Sequence, residues 1–176
     1  SAEHVTVNGN YAYVAVSASG IAIYDISDPT SPGTPVYVDT NDLSIDIEIK
    51  GDYAYVADYR SGLAIINISD PTNPGTPVYM STKGYAIGVD VKGDYAYVAN
   101  NDQGLAIINI SNPANPGNPI YVDTNGASVA VTVAGDYAYV ADAGAGLVII
   151  DISDPTNPGS PINIVTNGSP GDVTVE

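Results

Sequence analysis

The sequence predicts an all-β protein of the β-propeller class, built from four-stranded antiparallel blades of 42 residues. The tetrapeptide Tyr-Ala-Tyr-Val recurs at Tyr11, Tyr53, Tyr95 and Tyr137, each copy 42 residues after the last. The composition, with 18 Gly, 13 Pro and no Phe or Trp, favours strands and turns over helices. No segment shows the 3.6-residue periodicity of an amphipathic helix. A period of this length that holds four short strands is typical of a propeller blade, and a β-solenoid is the alternative.

The period divides the chain into four repeats and an additional strand that precedes them. The repeats span 9–50, 51–92, 93–134 and 135–176, and residues 1–8 form the extra inner strand. Since no repeat of this size buries its apolar surface alone, the 176 residues are expected to form a single domain.

The second repeat and the segment before it show how each blade forms. Strand A, 45–49, alternates apolar and polar residues, and the tight turn 50–52 leads into strand B, 53–57. A loop ending at Gly62 then reverses the chain into strand C, 63–68. Strands B and C are apolar on both faces, so each sheet must be covered on both sides, as it is when blades stack around an axis.

The outer part of each blade is predicted from its prolines. Segment 69–77 carries three prolines, which lack the N–H that a strand ladder needs, and is therefore expected to be a stiff, exposed connection. A short strand D follows at 77–81, and its leading proline suits an outer edge. Strand A is then the strand nearest the propeller axis.

Charge and composition exclude several classes of function. The net charge of -16 repels phosphate backbones, so we expect no nucleic-acid partner. The sequence contains no apolar stretch of about 20 residues, so we expect no membrane insertion. There is no cysteine and only one histidine, His4, so zinc sites and Ser-His or Cys-His catalysis lack their components. No glycine-rich loop joins a strand to a helix, as phosphate binding would require. We therefore predict that the protein is not an enzyme.

The two chain ends carry the same strand pattern. Residues 1–8 and 169–176 both match strand A, so five copies of strand A serve four sets of strands B, C and D. Because an unpaired strand edge is a template for another chain, we predict self-association, either as a dimer that completes a larger ring or as a head-to-tail polymer formed by strand exchange. The self-assembly residues are Val5, Val7, Val173 and Val175. Two alternatives are an excerpt from a longer array and a loose end on a closed four-bladed ring.

The loops after strand B vary between repeats, whereas strands B and C scarcely change. In a propeller these loops share one rim with the loops that lead into strand A, and binding residues are commonly carried on such loops. The candidate ligand-binding residues are Tyr59, Arg60, Asn101, Asp102 and Gln103. Aromatic and guanidinium groups favour recognition, which makes Tyr59 and Arg60 the strongest pair. Drift of exposed turns explains the same variation.

A second candidate site lies on the predicted inner strands. Their acidic residues, the candidate metal ligands, are Asp46, Glu48, Asp90 and Asp172. Carboxylates that converge in a channel repel each other unless they are protonated, hydrated or bound to a cation, and calcium takes six to eight oxygens. These residues are not repeated in every unit, which favours a water-filled channel. Calcium is the only cofactor that the sequence suggests.

The strand C motif Leu147-Val148-Ile149-Ile150-Asp151, continued by Ile-Ser-Asp-Pro, resembles the signature of the LVIVD-repeat family. Its counterparts begin at Ile21, Leu63 and Leu105, so the resemblance covers all four units. The resemblance implies a β-propeller, commonly in secreted or cell-surface proteins of bacteria and archaea, with no shared catalytic residue. We therefore expect an extracellular or cell-surface location.

Three functions follow as hypotheses. The first is a non-enzymatic structural module, adhesive or self-assembling through its terminal strands. The second is a propeller that binds a glycan or a peptide on the rim formed by the loops between strands B and C. The third, suggested by the near-identity of the repeats, is an engineered or consensus scaffold without a native activity. An enzyme such as a metal-dependent hydrolase is a further hypothesis, although nothing marks one acidic residue as special.

Overall fold

The computed structural model describes residues 1–175, which form four antiparallel sheets of four strands each. The strands are β1 (His4–Asn8), β2 (Tyr11–Ala15), β3 (Ile21–Asp25), β4 (Val36–Val38), β5 (Asp46–Lys50), β6 (Tyr53–Ala57), β7 (Leu63–Asn67), β8 (Val78–Met80), β9 (Gly88–Lys92), β10 (Tyr95–Ala99), β11 (Leu105–Asn109), β12 (Ile120–Val122), β13 (Ser128–Ala134), β14 (Tyr137–Asp142), β15 (Gly146–Asp151) and β16 (Ile162–Ile164). In each sheet the strands are neighbours in chain order, so each sheet is a meander. We number the four sheets blades 1 to 4 along the chain. The predicted all-β propeller is confirmed. No helix in residues 1–175 has the length and apolar character to cross a membrane.

The Tyr-Ala-Tyr-Val segment forms the second strand of every blade and pairs on both sides. In blade 2, Tyr55 lies opposite Glu48 of the inner strand and Ile65 of the third strand. A two-residue turn at Gly51 and Asp52 closes the first hairpin, and Gly51 adopts a positive φ of 57°. This left-handed conformation is easily reached by glycine and matches the twist of the flanking strands.

The proline-rich connections are fixed by local side-chain hydrogen bonds. The Asp70 carboxylate accepts hydrogen bonds from the backbone N–H of Thr72, at 3.0 Å, and from its hydroxyl, at 2.6 Å. These bonds lower the pKa of Asp70, because they favour the charged carboxylate. The same pattern joins Asp28 to Thr30 and Asp154 to Thr156. The segments therefore form ordered turns on the outside of the blades, as the sequence predicts.

Blades pack face to face, and their apolar contacts form three clusters within the described chain. The clusters join blade 1 to blade 2, blade 2 to blade 3 and blade 3 to blade 4. Each has the same composition: a buried tyrosine and its strand neighbours from one blade meet Ala, Val and Ile of the next. The inner strands β1, β5, β9 and β13 contact one another in succession. Burial on both faces of the middle blades is the arrangement that the two-sided apolar strands predict.

The outward faces of the first and last blades are incompletely covered. Val5 on β1 is 56% exposed, although its counterpart Ile47 in blade 2 is fully buried. Ile164 on β16 is 45% exposed, whereas the equivalent Val122 is buried. We call two surfaces the blade 1 free face and the blade 4 free face. The blade 1 free face consists of Val5, Val7, Val14, Tyr24 and Ile26. The blade 4 free face consists of Tyr137, Tyr139, Leu147, Ile149, Ile162 and Ile164.

The two terminal copies of strand A differ in structure. The segment 1–8 contains β1, which pairs with β2 throughout its length, so each blade begins with its own strand A. The segment 169–175 forms no strand. It is held after blade 4 by the Ser169 hydroxyl, which donates to the carbonyl oxygen of Ala143 at 3.1 Å. The spare copy of strand A is thus the C-terminal one.

Candidate functional site

The variable loops of neighbouring blades meet on one rim of the propeller. The loop after strand B of each of the first three blades makes a β-bridge to the loop that leads into the next inner strand, through the pairs Ser17 and Ser44, Tyr59 and Ala86, and Asn101 and Ser128. The Ala86 N–H, for example, donates to the Tyr59 carbonyl oxygen at 2.9 Å. Residues that are far apart in sequence therefore share one surface.

Buried polar side chains hold this rim together from below. Asn100, at the end of strand B in blade 3, accepts a hydrogen bond of 2.7 Å from the Thr82 hydroxyl and donates to the Thr82 carbonyl. In blade 4, Asp142 accepts from the Thr124 hydroxyl at 2.6 Å. Sequence reasoning missed these residues. Their signal is a polar residue that ends an apolar strand in three of the four repeats, with a threonine 18 residues earlier in the preceding loop.

Asp58 occupies the same position in blade 2, but its carboxylate makes fewer hydrogen bonds than the side chains of Asn100 and Asp142 do. Its Oδ2 accepts from the Asp42 N–H at 3.2 Å, while its Oδ1 is buried and finds no hydrogen-bond partner among the described residues. Burial raises the pKa of this carboxyl and repulsion from the Asp42 carboxylate adds to it, whereas the hydrogen bond from the Asp42 N–H opposes the rise. Asp58 therefore carries a desolvation cost that Asn100 avoids.

Asp58→Asn is expected to raise the free energy of unfolding by about 1–2 kcal/mol at pH 7, because it removes a buried charge and copies the amide of Asn100. The folded-state pKa of Asp58 lies above its ordinary value of 3.8, so its cost appears as pH rises through that range. The gain should therefore shrink toward pH 3 in urea denaturation. Asp142→Asn is the control: Asp142 also accepts from the N–H groups of Gly144 and Ala145, so that substitution should not stabilise.

An aromatic cluster lies above Asp58 on the rim. The rings of Tyr59 and Tyr85 stack with centroids 4.6 Å apart and an interplanar angle of 15°. The Arg60 guanidinium lies 5.2 Å from the Tyr59 centroid and 5.9 Å from that of Tyr85. Its nearest carboxylate oxygen, on Asp42, is 4.0 Å away. Tyr85 was not predicted, although it is the sole aromatic residue at its position in the four repeats.

The remaining predicted ligand-binding residues lie beside this pair. A cavity of about 220 Å³ is lined by Lys83, Gly84, Tyr85 and the loop 101–103 of blade 3. Tyr85 thus lines the cavity together with Asn101, Asp102 and Gln103, and it also stacks on Tyr59. The Lys83 ammonium lies 4.9 Å from the ring centroid of Tyr121. We call the set Tyr59, Arg60, Lys83, Tyr85 and 101–103 the rim cluster.

The predicted metal ligands lie in the central channel and serve largely as backbone acceptors. Asp46 Oδ2 accepts from the Val89 N–H of the next inner strand at 2.8 Å, and Asp90 Oδ2 accepts from the Val133 N–H at 2.6 Å. Both bonds satisfy strand edges that face the channel. Glu48, also on β5, lines the same channel, and repulsion from Asp90 adds to burial in raising its pKa.

A cavity of about 300 Å³ in the channel is lined by these carboxylates and by Asp172 of the C-terminal segment. The Asp172 carboxylate accepts from the N–H of Val173 at 2.8 Å. Within residues 1–175 no three His, Asp or Glu side chains are grouped as metal ligands. The carboxylates therefore share a channel without forming a metal-binding group, and calcium remains a prediction.

Comparison with protein families agrees with the repeat pattern. The model of the LVIVD repeat matches residues 1–40, 43–79, 83–124 and 125–166. The chain belongs to the LVIVD-repeat family. Each match begins at or before the inner strand of a blade and extends to or past strand C, so the family repeat coincides with the structural blade. No curated protein matches the sequence.

Two solved structures share the propeller fold with this LVIVD-repeat chain. The computationally designed Ika4 protein superposes with a TM-score of 0.67 at 8% sequence identity, over 85% of this chain and 89% of its own. The computationally designed Ika8 protein superposes with a TM-score of 0.68 at 10% identity, over 85% of this chain and 45% of its own. At such low identity, the likeness concerns the fold.

The only histidine of this LVIVD-repeat chain links β1 to the channel. His4 Nδ1 lies 2.7 Å from Asp46 Oδ1, and this hydrogen bond raises the pKa of His4 above its ordinary value of 6.5. The stabilisation is therefore complete below about pH 6.5 and is lost as pH rises through the folded-state pKa. His4→Ala is expected to lower the free energy of unfolding at pH 5.5 by less than about 1 kcal/mol, because the pair is half exposed. The difference should be smaller at pH 8.5, as measured by urea denaturation.

Proposed function

We propose that this LVIVD-repeat protein is a non-enzymatic structural module, extracellular or on a cell surface, that self-associates through its end blades. The observation that carries the proposal is the exposure of two apolar faces whose counterparts are buried inside the chain. Isolated apolar side chains on a surface are common, but contiguous apolar faces mark interaction sites. The location follows from the family resemblance and remains part of the proposal.

The two free faces are complementary because of the repeat. Inside the chain, the face with Tyr97, Leu105 and Ile107 packs against the next blade. The blade 4 free face presents the equivalent Tyr139, Leu147 and Ile149. The blade 1 free face likewise repeats the surface that blade 2 turns toward blade 1. Contact between blade 4 of one copy and blade 1 of another would therefore repeat an interface that already occurs between neighbouring blades.

Such a contact joins different surfaces of the two copies. Contacts of this kind close into a ring if the rotation between copies allows it, and otherwise propagate as a filament. The Ika8 chain, of which this chain covers 45%, provides a precedent for similarly folded blades within a longer chain. We favour a dimer that completes a larger ring, because closure covers every free face.

The C-terminal segment adds a means of linking the copies. Val173, Thr174 and Val175 repeat the sequence of Val5, Thr6 and Val7, and this segment follows blade 4 outside the four sheets. In an assembled pair it would displace β1 of the next copy and pair with β2 in its place, as in β-strand exchange. This exchange is separable from face-to-face contact, because it depends on the backbone of 169–176.

Sedimentation equilibrium of the full chain and of a chain lacking 169–176 tests the proposal. The full chain is expected to associate as concentration rises from micromolar to millimolar, and the truncated chain to associate more weakly. A strictly monomeric full chain at millimolar concentration would overturn self-association. Equal association of both chains would remove strand exchange and leave the face contact as the interface.

A second candidate function is ligand binding at the rim cluster. It is favoured by the convergence of the predicted Tyr59, Arg60 and 101–103 on one patch together with Lys83 and Tyr85. Immobilised protein probed with libraries of glycans and peptides tests it. Retained binding after Tyr59→Ala combined with Arg60→Ala would remove this patch as the site.

A further inference from the structure

We infer that the rim cluster binds a neutral glycan, with sugar rings stacked on Tyr59 and Tyr85 and hydroxyl groups bonded to the loop 101–103. This inference rests on the second function proposed above and names its ligand class. It is carried by the uniqueness of the cluster within the chain, by its backbone conformation, and by the chemistry of its cavity.

The four repeats act as internal controls for the rim cluster. The position of Tyr59 holds Ser17, Asn101 and Ala143 in the other repeats, and that of Tyr85 holds Leu43, Ala127 and Ser169. All four blades nevertheless fold alike. The scaffold therefore does not need an aromatic residue at either position, and the stacked pair requires another explanation.

Backbone conformation strengthens this argument. Tyr59 has a φ of +41° and Lys83 a φ of +61°, in the left-handed region that disfavours residues other than Gly, Asn and Asp. The residues equivalent to Tyr59 in two other repeats are Ser17, with φ +53°, and Asn101, with φ +49°, and the residue equivalent to Lys83 in the next repeat is Asn125, with φ +66°. Two side chains of the rim cluster thus occupy positions where asparagine suits the backbone better. Strain of this kind concentrates at binding sites, where the side chain is retained for its contacts.

The chemistry of the patch suits a sugar ring. One face of a pyranose presents C–H groups, which pack on an aromatic ring, while its edges present hydroxyl groups that both donate and accept. Asn101 and Gln103 offer amides, and the Asp102 carboxylate accepts from hydroxyls. The cavity of about 220 Å³ is smaller than the roughly 300–1,000 Å³ typical of sites for drug-sized ligands. It therefore fits one ring of a longer, exposed glycan.

Electrostatics favour a neutral glycan over an acidic one. Arg60 lies near Asp42, and Lys83 lies over the ring of Tyr121, so both cations have partners within the protein. Asp102 faces the cavity and would repel a carboxylated sugar. The net charge of -16 adds repulsion of any polyanion over about a Debye length.

The test measures binding of the full chain to neutral hexasaccharides of glucose, mannose and N-acetylglucosamine by calorimetry and NMR titration. Tyr59→Asn copies Asn101 and is expected to keep or raise stability while weakening binding at least about fivefold, through loss of stacking. Tyr85→Ala should weaken binding similarly. Tyr37→Ala, which removes an exposed tyrosine from the outer strand of blade 1, is the matched control and should leave affinity unchanged.

Oligogalacturonate and a random peptide library complete the design. Tighter binding of oligogalacturonate than of every neutral hexasaccharide would overturn the neutral class. Peptide binding that Tyr59→Asn abolishes, without any glycan binding, would overturn the glycan and preserve a rim-binding function. Absence of binding to all three probe classes would overturn both proposals. Neutral glycan binding that survives both tyrosine substitutions would also overturn the site.

Discussion

Val5→Asp is expected to leave each chain folded and to abolish its association. Val5 is 56% exposed on the blade 1 free face, so a carboxylate there remains hydrated in the isolated chain. The free energy of unfolding should fall by less than about 1 kcal/mol, mainly through lower strand propensity. In the proposed assembly the same position becomes buried against blade 4 of another copy. Loss of apolar burial together with a desolvated charge should weaken association by at least about 100-fold.

Ile47→Asp is the matched control, because Ile47 is the counterpart of Val5 in blade 2. Ile47 is fully buried in the contact between blades 1 and 2. A carboxylate at this position has no hydration and no cationic partner in its apolar cluster. We expect a loss of more than about 4 kcal/mol, which approaches the whole stability of a domain at the low end of the roughly 5–15 kcal/mol range.

Urea denaturation and sedimentation equilibrium distinguish the outcomes. If Val5→Asp unfolds the chain as Ile47→Asp does, then the blade 1 free face is already covered within one chain, as it is in a closed four-bladed ring. If Val5→Asp leaves both folding and association unchanged, then assembly uses another surface. Contact between end blades is supported only if Val5→Asp weakens association while it leaves the chain folded.

Strand order and blade architecture could be predicted from the sequence because both depend on local patterns. Period-two alternation, the turn at Gly51 and the prolines of 69–77 each specify the backbone within a few residues. Repetition then fixes how blades pack, since every middle blade must cover both of its faces. Such rules determine the meander and the position of strand A next to the axis without any knowledge of long-range contacts.

The rim cluster could be predicted only in part, because its contacts join different loops. Tyr59 and Arg60 stand out by residue type, but their stacking partner Tyr85 lies 26 residues away and meets them only through the bridge between Tyr59 and Ala86. Variation between repeats at position 85 was present in the sequence. Its meaning depended on knowing that the two loops share a rim.

For the channel carboxylates, the sequence indicates the residue type and the strand but not the contacts that each side chain makes. Their types and their shared inner-strand location predict calcium ligands, and the structure adds a second role, because Asp46 and Asp90 each accept a backbone N–H from the next inner strand. This role depends on the offset between adjacent inner strands, which no sequence pattern encodes. Asp58 is a further example, because the sequence does not reveal that its Oδ1 is buried beneath the rim.

Gly62→Ala is expected to destabilise the protein by about 3 kcal/mol and to disorganise the rim. Gly62 ends the loop that carries Tyr59 and Arg60, and its φ is +82°. A Cβ at this position would overlap the carbonyl oxygen of Met80 and lie 2.8 Å from the backbone nitrogen of Thr82. Left-handed strain costs about 1 kcal/mol, and displacement of the backbone adds a cost like that of overpacking.

Gly51→Ala separates these two costs. Gly51 also has a positive φ, of +57°, but a Cβ there would meet no atom within 4 Å. We therefore expect about 1 kcal/mol from strain alone, measured by urea denaturation of both variants. Because Gly62 allows the loop after strand B to close on the end of strand D, its substitution should also move Tyr59 away from Tyr85. Ring-current shifts of the two tyrosines in NMR spectra would report that separation in Gly62→Ala and remain unchanged in Gly51→Ala. Equal destabilisation by both substitutions would show that the contact with strand D does not hold the rim in place.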